Sequence, residues 1–199
     1  AGTMRTCRDC HDAESTHDWL PYQRVHFNRL ECEACHVPRS QAPALEAVDW
    51  TLIDPAGGPR TQWRGVEGEP DDPVALVTGF TPPLLPREGR DGRVRLAPYN
   101  LVAAWYWVTG GEVRRPARLV DLQAALLEEG GYHPDVLAAL DADNDGRLDD
   151  HERVLDSEEK VAAVRARLEA VGVEHPRLAG ELLHFGMHHS VSPAKHAVR

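Results

Sequence analysis

The chain has no cysteine to spare. Among 199 residues there are four, Cys7, Cys10, Cys32 and Cys35, and each has another three positions away, with two residues between, which leaves none for a disulfide framework or a lone nucleophile. No apolar run approaches the ~18 residues of a membrane span, so the chain reads as soluble and not membrane-spanning. The opening AGTMRTC has neither the basic nor the apolar region of a signal peptide, so it reads as a mature protein or a fragment. Positive charge is scarce: 22 basic against 32 acidic residues give a formal charge of -10. With no Lys/Arg-dense strip there is no phosphate footprint, which excludes nucleic acid and favours basic or neutral partners. Methionine is limited to Met4 and Met187, and there is no low-complexity tract.

What is present is a cysteine pattern. CRDCH at residues 7 to 11 and CEACH at 32 to 36 are both C-x-x-C-H, the spacing at which two thiols add across the vinyl groups of one porphyrin while the adjacent histidine reaches its iron. This assigns Cys7, Cys10 and His11 to haem 1 and Cys32, Cys35 and His36 to haem 2, two covalent haem c groups in all. Two C-x-x-C pairs separated by residues 11 to 31 also come near a zinc-ribbon spacing, but zinc does not explain a histidine after each second cysteine. A thioredoxin-like pair would want a single motif in a strand-to-helix setting. The 15 prolines, 16 glycines and mean hydropathy of -0.45 predict a thin protein core whose missing apolar volume a haem would supply. Haem c chemistry belongs outside the cytoplasmic membrane, so a periplasmic or extracytoplasmic location is expected.

The sixth position of each iron decides between carrier and catalyst. Of the eleven histidines, His26 precedes Cys32 by six residues; it cannot easily curl to the far face of the following haem but can reach back to haem 1. His17 is the second choice there, and can instead serve haem 2 or a haem on a further segment. For haem 2 the dense source is HFGMHHSVSP, residues 184 to 193, with His189 first and His188 second. A Met187 ligand would raise the potential relative to bis-histidine, but Met187 is equally read as packing. Two bis-histidine irons leave no open position, and this favours electron transport over catalysis.

A second motif lies at DADNDGRLDDHE, residues 141 to 152. Asp141, Asp143 and Asp145 match positions 1, 3 and 5 of an EF-hand, Gly146 the sharp turn, Arg147 the backbone carbonyl, Asp149 the water-mediated position and Glu152 the bidentate carboxylate. Flanking apolar periodicity predicts helices at about 134–140 and 150–171, so a structural Ca²⁺ site in a helix-loop-helix is expected.

The fold expected is mainly α, with extensive irregular loops and a few short β-strands. Residues 1–100 would form a dihaem region with a loop-rich wrap. Residues 101–199 would hold a hairpin turning at Thr109, Gly110 and Gly111, a helix at about 119–129, the calcium loop and the distal-histidine segment, all in one compact unit. PAGGP, TPPLLP and REGRDGR read as loops, and Trp105, Tyr106 and Trp107 as either porphyrin contacts or ordinary packing.

Taken together, CRDCH followed by HDWLPY, HFNRLECEACHVP, a V-D-W-T segment, APYNLVAAWYWV, the aspartate-rich loop and MHHSVSP resemble the multihaem cytochromes c related to octahaem tetrathionate reductase. The resemblance implies His26 and His189 as distal ligands, and redox proteins or further haem domains of a longer chain as partners. The family's catalytic haem has a lysine in place of the attachment histidine. No C-x-x-C-K occurs here, so reductase activity toward sulfur or nitrogen oxyanions is the alternative and not the leading expectation. The family also continues past the HHSVSP-like segment into another C-x-x-C-H, whereas this sequence stops at Arg199; a piece of a longer multihaem chain, or a short relative, is expected.

Overall fold

The computed structural model describes residues 6–197, Ala194 by its backbone alone; Met4 lies outside them. Three short helices come first. Helix α1 (Ala13–Thr16) is started by Asp12, whose carboxylate accepts from the N–H groups of Glu14 and Ser15, satisfying two of the donors a helix start leaves unpaired. Then come α2 (Gln23–Arg29) and α3 (Cys32–His36). Strands β1 (Ala44–Ile53), β2 (Pro59–Arg64), β3 (Val66–Glu67), β4 (Leu76–Val77), β5 (Leu84–Glu88), β6 (Val94–Thr109) and β7 (Arg115–Pro116) follow. Helix α4 (Leu119–Leu126) leads into the small hairpin β8 (Leu127–Glu128) and β9 (Gly131–Tyr132). After it come α5 (Pro134–Leu140), α6 (Glu158–Ala170) and β10 (Arg177–Gly186).

The expectation of a mainly α fold is overturned: 26% of the chain is helical and 31% is strand. A six-stranded mixed sheet runs in the order β10-β6-β1-β2, with β5 and β7 also paired to β6. Strand β1 runs parallel to β6, whereas β5 and β7 are antiparallel to it. The sixteen-residue β6 contains the whole of APYNLVAAWYWV; burial alternates with period two over residues 101–105, as a strand requires, while both ends of the segment are buried on successive residues. The prolines misled because they sit where a sheet tolerates them: Pro86 lies on β5, which pairs only with β6, so its missing N–H costs no ladder bond on the free side. REGRDGR is the end and turn of the β5–β6 hairpin, with the Gly89 N–H donating to the Arg93 carbonyl. The expected hairpin at 109–111 is the β6–β7 connection.

The chain divides into two compact units, interleaved along the sequence: Ala1–Ala44, Arg64–Asn100 and His184–Arg199 form one, Leu45–Trp63 and Leu101–Leu183 the other. The second unit has an ordinary core. Leu52, Ile53, Trp107, Leu126, Leu140, Val164 and Leu168 pack together, all 2% exposed or less. The Trp107 indole N–H, buried with its ring, donates to the Thr51 carbonyl at 3.0 Å, so its polar atom is satisfied. Helix α6 begins at Ser157, whose hydroxyl accepts from the Lys160 N–H, and not near residue 150 as the apolar spacing suggested. Helix α4 likewise ends at Leu126, before the expected 129, because the chain turns at Glu129 and Gly130 with positive φ to pair β8 with β9.

The first unit is different. Among the described residues, leaving prolines aside, four of the twenty buried apolar side chains, Val37, Ala97, Tyr99 and Met187, belong to it, although the two units are of similar length. It is held instead by polar ties. Arg95, 6% exposed, joins the Phe27 carbonyl and the carboxylates of Glu31 and Asp91. No helix is long and apolar enough to cross a membrane among the described residues.

Candidate haem site

Helix α3 is the CEACH motif. In a helical turn, residues at i, i+3 and i+4 share a face, so Cys32, Cys35 and His36 are presented together. They line an open, mostly apolar cleft with His17, Trp19, Leu20, His26, Phe27 and Leu30. The first motif makes a turn of its own, with the His11 N–H donating to the Cys7 carbonyl at 2.9 Å. Cys7 and Cys10 are exposed, and the Cys7 and Cys32 side chains are neighbours, which sets the two motifs side by side. Burial, then the negative charge of Glu33 and the neighbouring Cys32, push the Cys7 thiol up; burial and Cys32 do the same to Cys35. Neutral thiols of this kind are poor nucleophiles.

His36 is clamped at two points by the segment after β10. Its Nδ1 lies 3.1 Å from the Ser192 carbonyl oxygen, and the Ser192 N–H donates to the His36 carbonyl at 2.7 Å. A ring nitrogen held by a backbone carbonyl fixes the tautomer and leaves the other nitrogen for a metal. His17 is held in the same manner: its Nδ1 meets the Ala13 carbonyl at 2.9 Å. Gln23 fixes the turn beneath it, donating to the carbonyls of Glu14 at 2.7 Å and His17 at 2.9 Å.

The His17 and His36 rings face each other perpendicularly, centroids 5.9 Å apart. Two metal–imidazole bonds of about 2 Å each, with about 1.2 Å from each nitrogen to its ring centre, would put two rings on one metal about 6.3 Å apart, close to the separation of this pair. Trp19 stacks on His17 at 6.1 Å and Phe27 meets it edge-on at 5.7 Å. His26 lines the same cleft with its Nδ1 buried and unpartnered, an arrangement that costs about 1–3 kcal/mol unless something else binds there.

The other candidate ligands are placed elsewhere. His188 Nδ1 is 3.0 Å from Glu33, which also bridges to Arg87 at 3.1 Å. Burial would raise the Glu33 carboxyl, but its own backbone N–H, His188 and Arg87 outweigh it and hold the carboxyl below its ordinary value. His189 is exposed, with Nδ1 on the Ser190 hydroxyl at 3.2 Å, and does not line the cleft. Met187 is buried beside Pro98, to whose carbonyl its N–H donates. Trp107 is in the core of the second unit, Tyr106 bonds Glu181, and Trp105 lies over Gly180, where a Cβ would come within 2.6 Å of its ring.

Zinc fits poorly. Among the described residues the one converging group of potential donors is Asp141, Asp143 and Asp145, with atoms within 4.8 Å of one another; the cysteines form no such cluster. In that loop Asp141 accepts from the N–H groups of Asp145 and Gly146, and Glu152 from those of Ala142 and Asp149. Asp145 accepts from the Arg147 N–H and Asp149 from those of His151 and Glu152. Gly146 takes φ +81°, the left-handed turn glycine allows. The loop follows α5, but turns and bends over 149–157 separate it from α6.

Sequence reasoning missed Gln23, Ser192 and the Glu33–Arg87 pair. Ser192 acts through its backbone, which no side-chain pattern reveals. Glu33, an acid inside CEACH, was the one visible signal.

No protein-family model matches the chain, and no curated protein does. Among solved structures it is similar to an octahaem cytochrome c from Shewanella oneidensis, with TM-score 0.50 and 15% identity, over 98% of this chain and 47% of that one. The likeness is to a multihaem cytochrome fold, and the chain spans about half the length of that structure.

Proposed function

We propose that the chain is an extracytoplasmic c-type cytochrome module that carries electrons through two low-spin, bis-histidine haems, within or alongside a larger set of haems. The observation that carries this reading is the His17–His36 pair, spaced for one iron in a cleft flanked by Cys32 and Cys35. The thin apolar core of the first unit supports it, since porphyrins would supply the missing volume.

In this reading Cys32 and Cys35 would tether haem 2, and His36 and His17 would bind its iron. His17 takes the place that spacing and resemblance gave to His189. Cys7, Cys10 and His11 hold haem 1, and His26, with its unpartnered buried nitrogen, is the other ligand. Haem c supplies reversible one-electron oxidation and reduction of its iron. The Ser192 and Ala13 carbonyls hold the Nδ1 of His36 and His17, which would leave the other ring nitrogen of each for the iron. Leu20, Phe27 and Leu30 give the cleft its apolar lining. The loop 141–152 binds a structural Ca²⁺ in the second unit, supported by three carboxylates within 4.8 Å.

Mass spectrometry and optical spectra of the chain matured with haem test the reading. Two covalent haems, both low-spin and inert to added cyanide or nitrite, are expected. A large high-spin fraction would favour catalysis at an open iron, and a chain that matures without covalent haem would remove the reading altogether.

A further inference from the structure

A helix end leaves its last carbonyls without intrahelical donors, and α2 ends in that way. The His26 carbonyl is taken by the Leu30 N–H at 2.8 Å. The next carbonyl, that of Phe27, would ordinarily accept from Glu31, but the Glu31 N–H donates instead to the Leu96 carbonyl on β6 at 2.9 Å. Two arginines fill the gap. Arg95 Nε donates to the Phe27 carbonyl oxygen at 2.9 Å, and the Arg8 guanidinium donates to it at 3.3 Å. Arg8 belongs to CRDCH, and its guanidinium also lies over the Phe27 ring at 5.1 Å. Arg95 is buried on β6 and reaches further: it holds the Glu31 carboxylate at 3.3 Å and both carboxylate oxygens of Asp91 at 3.0 and 2.5 Å. Glu31 immediately precedes Cys32 and stands at the N-terminus of α3.

Three parts of the first unit thus meet at one carbonyl oxygen: the first C-x-x-C-H motif through Arg8, the helix that carries His26, and the second motif through Arg95 and Glu31. Bonds from charged donors are stronger than neutral ones, and burial strengthens them further. Without these partners Arg95 would be a buried, unpaired charge, so the arrangement resists being pulled apart. We propose that Arg95 and Arg8, joined at the Phe27 carbonyl, set the separation of the two haem motifs, with Arg95 a positioning residue for electron exchange between them. The inference deepens the proposed function and rests on it. Exchange moves one electron from one iron to the other, with no bond made or broken. Its rate falls steeply with separation, so a fixed spacing matters more to the exchange than to either iron alone.

The test reads the dipolar coupling between the two ferric irons, by electron paramagnetic resonance of the haem-loaded chain. Arg95→Lys keeps the positive charge but replaces a planar fork with a single ammonium, which cannot serve Phe27, Glu31 and Asp91 together. Arg8→Met removes the second donor from an exposed position and leaves Arg95 in place. The parent is expected to give one narrow iron–iron distance. Each variant is expected to shift or broaden that distance with both irons still low-spin. Arg118→Lys, at an exposed position before α4, is expected to leave it unaltered. An unchanged distance in both Arg95→Lys and Arg8→Met would overturn the proposal even if stability fell, because a merely structural tie lowers stability without moving the irons. An equal change with Arg118→Lys would overturn it too. If Arg95→Lys does not mature, Arg8→Met decides alone. A parent without two low-spin haems would remove the haem reading and this inference with it, and that failure shows before any variant is made.

Discussion

The Ser192 carbonyl oxygen stands 3.1 Å from Nδ1 of His36, and the Ser192 N–H returns a hydrogen bond to the His36 carbonyl at 2.7 Å. One residue of an irregular segment thus fixes both the ring and the backbone of His36, the histidine of CEACH. The MHHSVSP segment was read as a source of a ligand; in the structure its Ser192 holds the His36 ring. Replacing Ser192 by proline removes the N–H and leaves the His36 carbonyl short of a donor. Haem 2 should still attach, but chemical denaturation should show a loss of about 1–3 kcal/mol.

Gln23 is expected to matter more to His17 than its place at the start of α2 suggests, because its amide ties the Glu14 and His17 carbonyls. Gln23→Leu keeps the volume and removes both bonds. The account predicts a loss of about 1–2 kcal/mol together with partial high-spin character at one haem, measured by optical spectra. A merely structural role would give the stability loss with no spectral change.

The Glu33–Arg87–His188 cluster makes stability depend on acid. The folded-state carboxyl of Glu33 lies below its ordinary value of 4.5, so its contribution is fully present above that value. It is lost as pH falls through the depressed folded value, where the folded state at last takes up the proton. Arg87→Met leaves a carboxylate only 8% exposed with one partner fewer, a change of about 3 kcal/mol near neutrality. Denaturation curves should show the gap between variant and parent closing below pH 4.5.

How much was legible in the sequence follows from which interactions are local. C-x-x-C-H and the aspartate loop are contiguous, so they stand out as motifs in the sequence, and α5 begins at Pro134 as expected. The sheet could not be read, because β1 pairs with β6 across some fifty residues, Ala47 with Ala103, and prolines on free strand edges look like loops. The pairing of His17 with His36 was equally hidden. It depends on Gln23 folding α1 back onto α2, and spacing alone left His17 open to either haem.

In the loop 141–152 the Asp145 N–H lowers the Asp143 carboxyl, but desolvation and the carboxylates of Asp145 and Glu152 outweigh it and raise it above its ordinary 3.8. Calcium would relieve that repulsion. Its binding should therefore release protons as pH falls toward 4, and its affinity should weaken there. At a hundredfold excess over Kd, calcium should stabilise the second unit by about 2.7 kcal/mol. Calorimetry with and without a chelator checks this, and Glu152→Gln should abolish most of the difference.

The most direct measurement is the electron paramagnetic resonance spectrum of the oxidised, haem-loaded chain beside its His17→Ala and His17→Met variants, with mass spectrometry confirming two attached haems in each. The account predicts that alanine turns one of two low-spin signals into a high-spin one, and that methionine restores low spin at a higher reduction potential. Two low-spin signals and two potentials unchanged in both variants would contradict it.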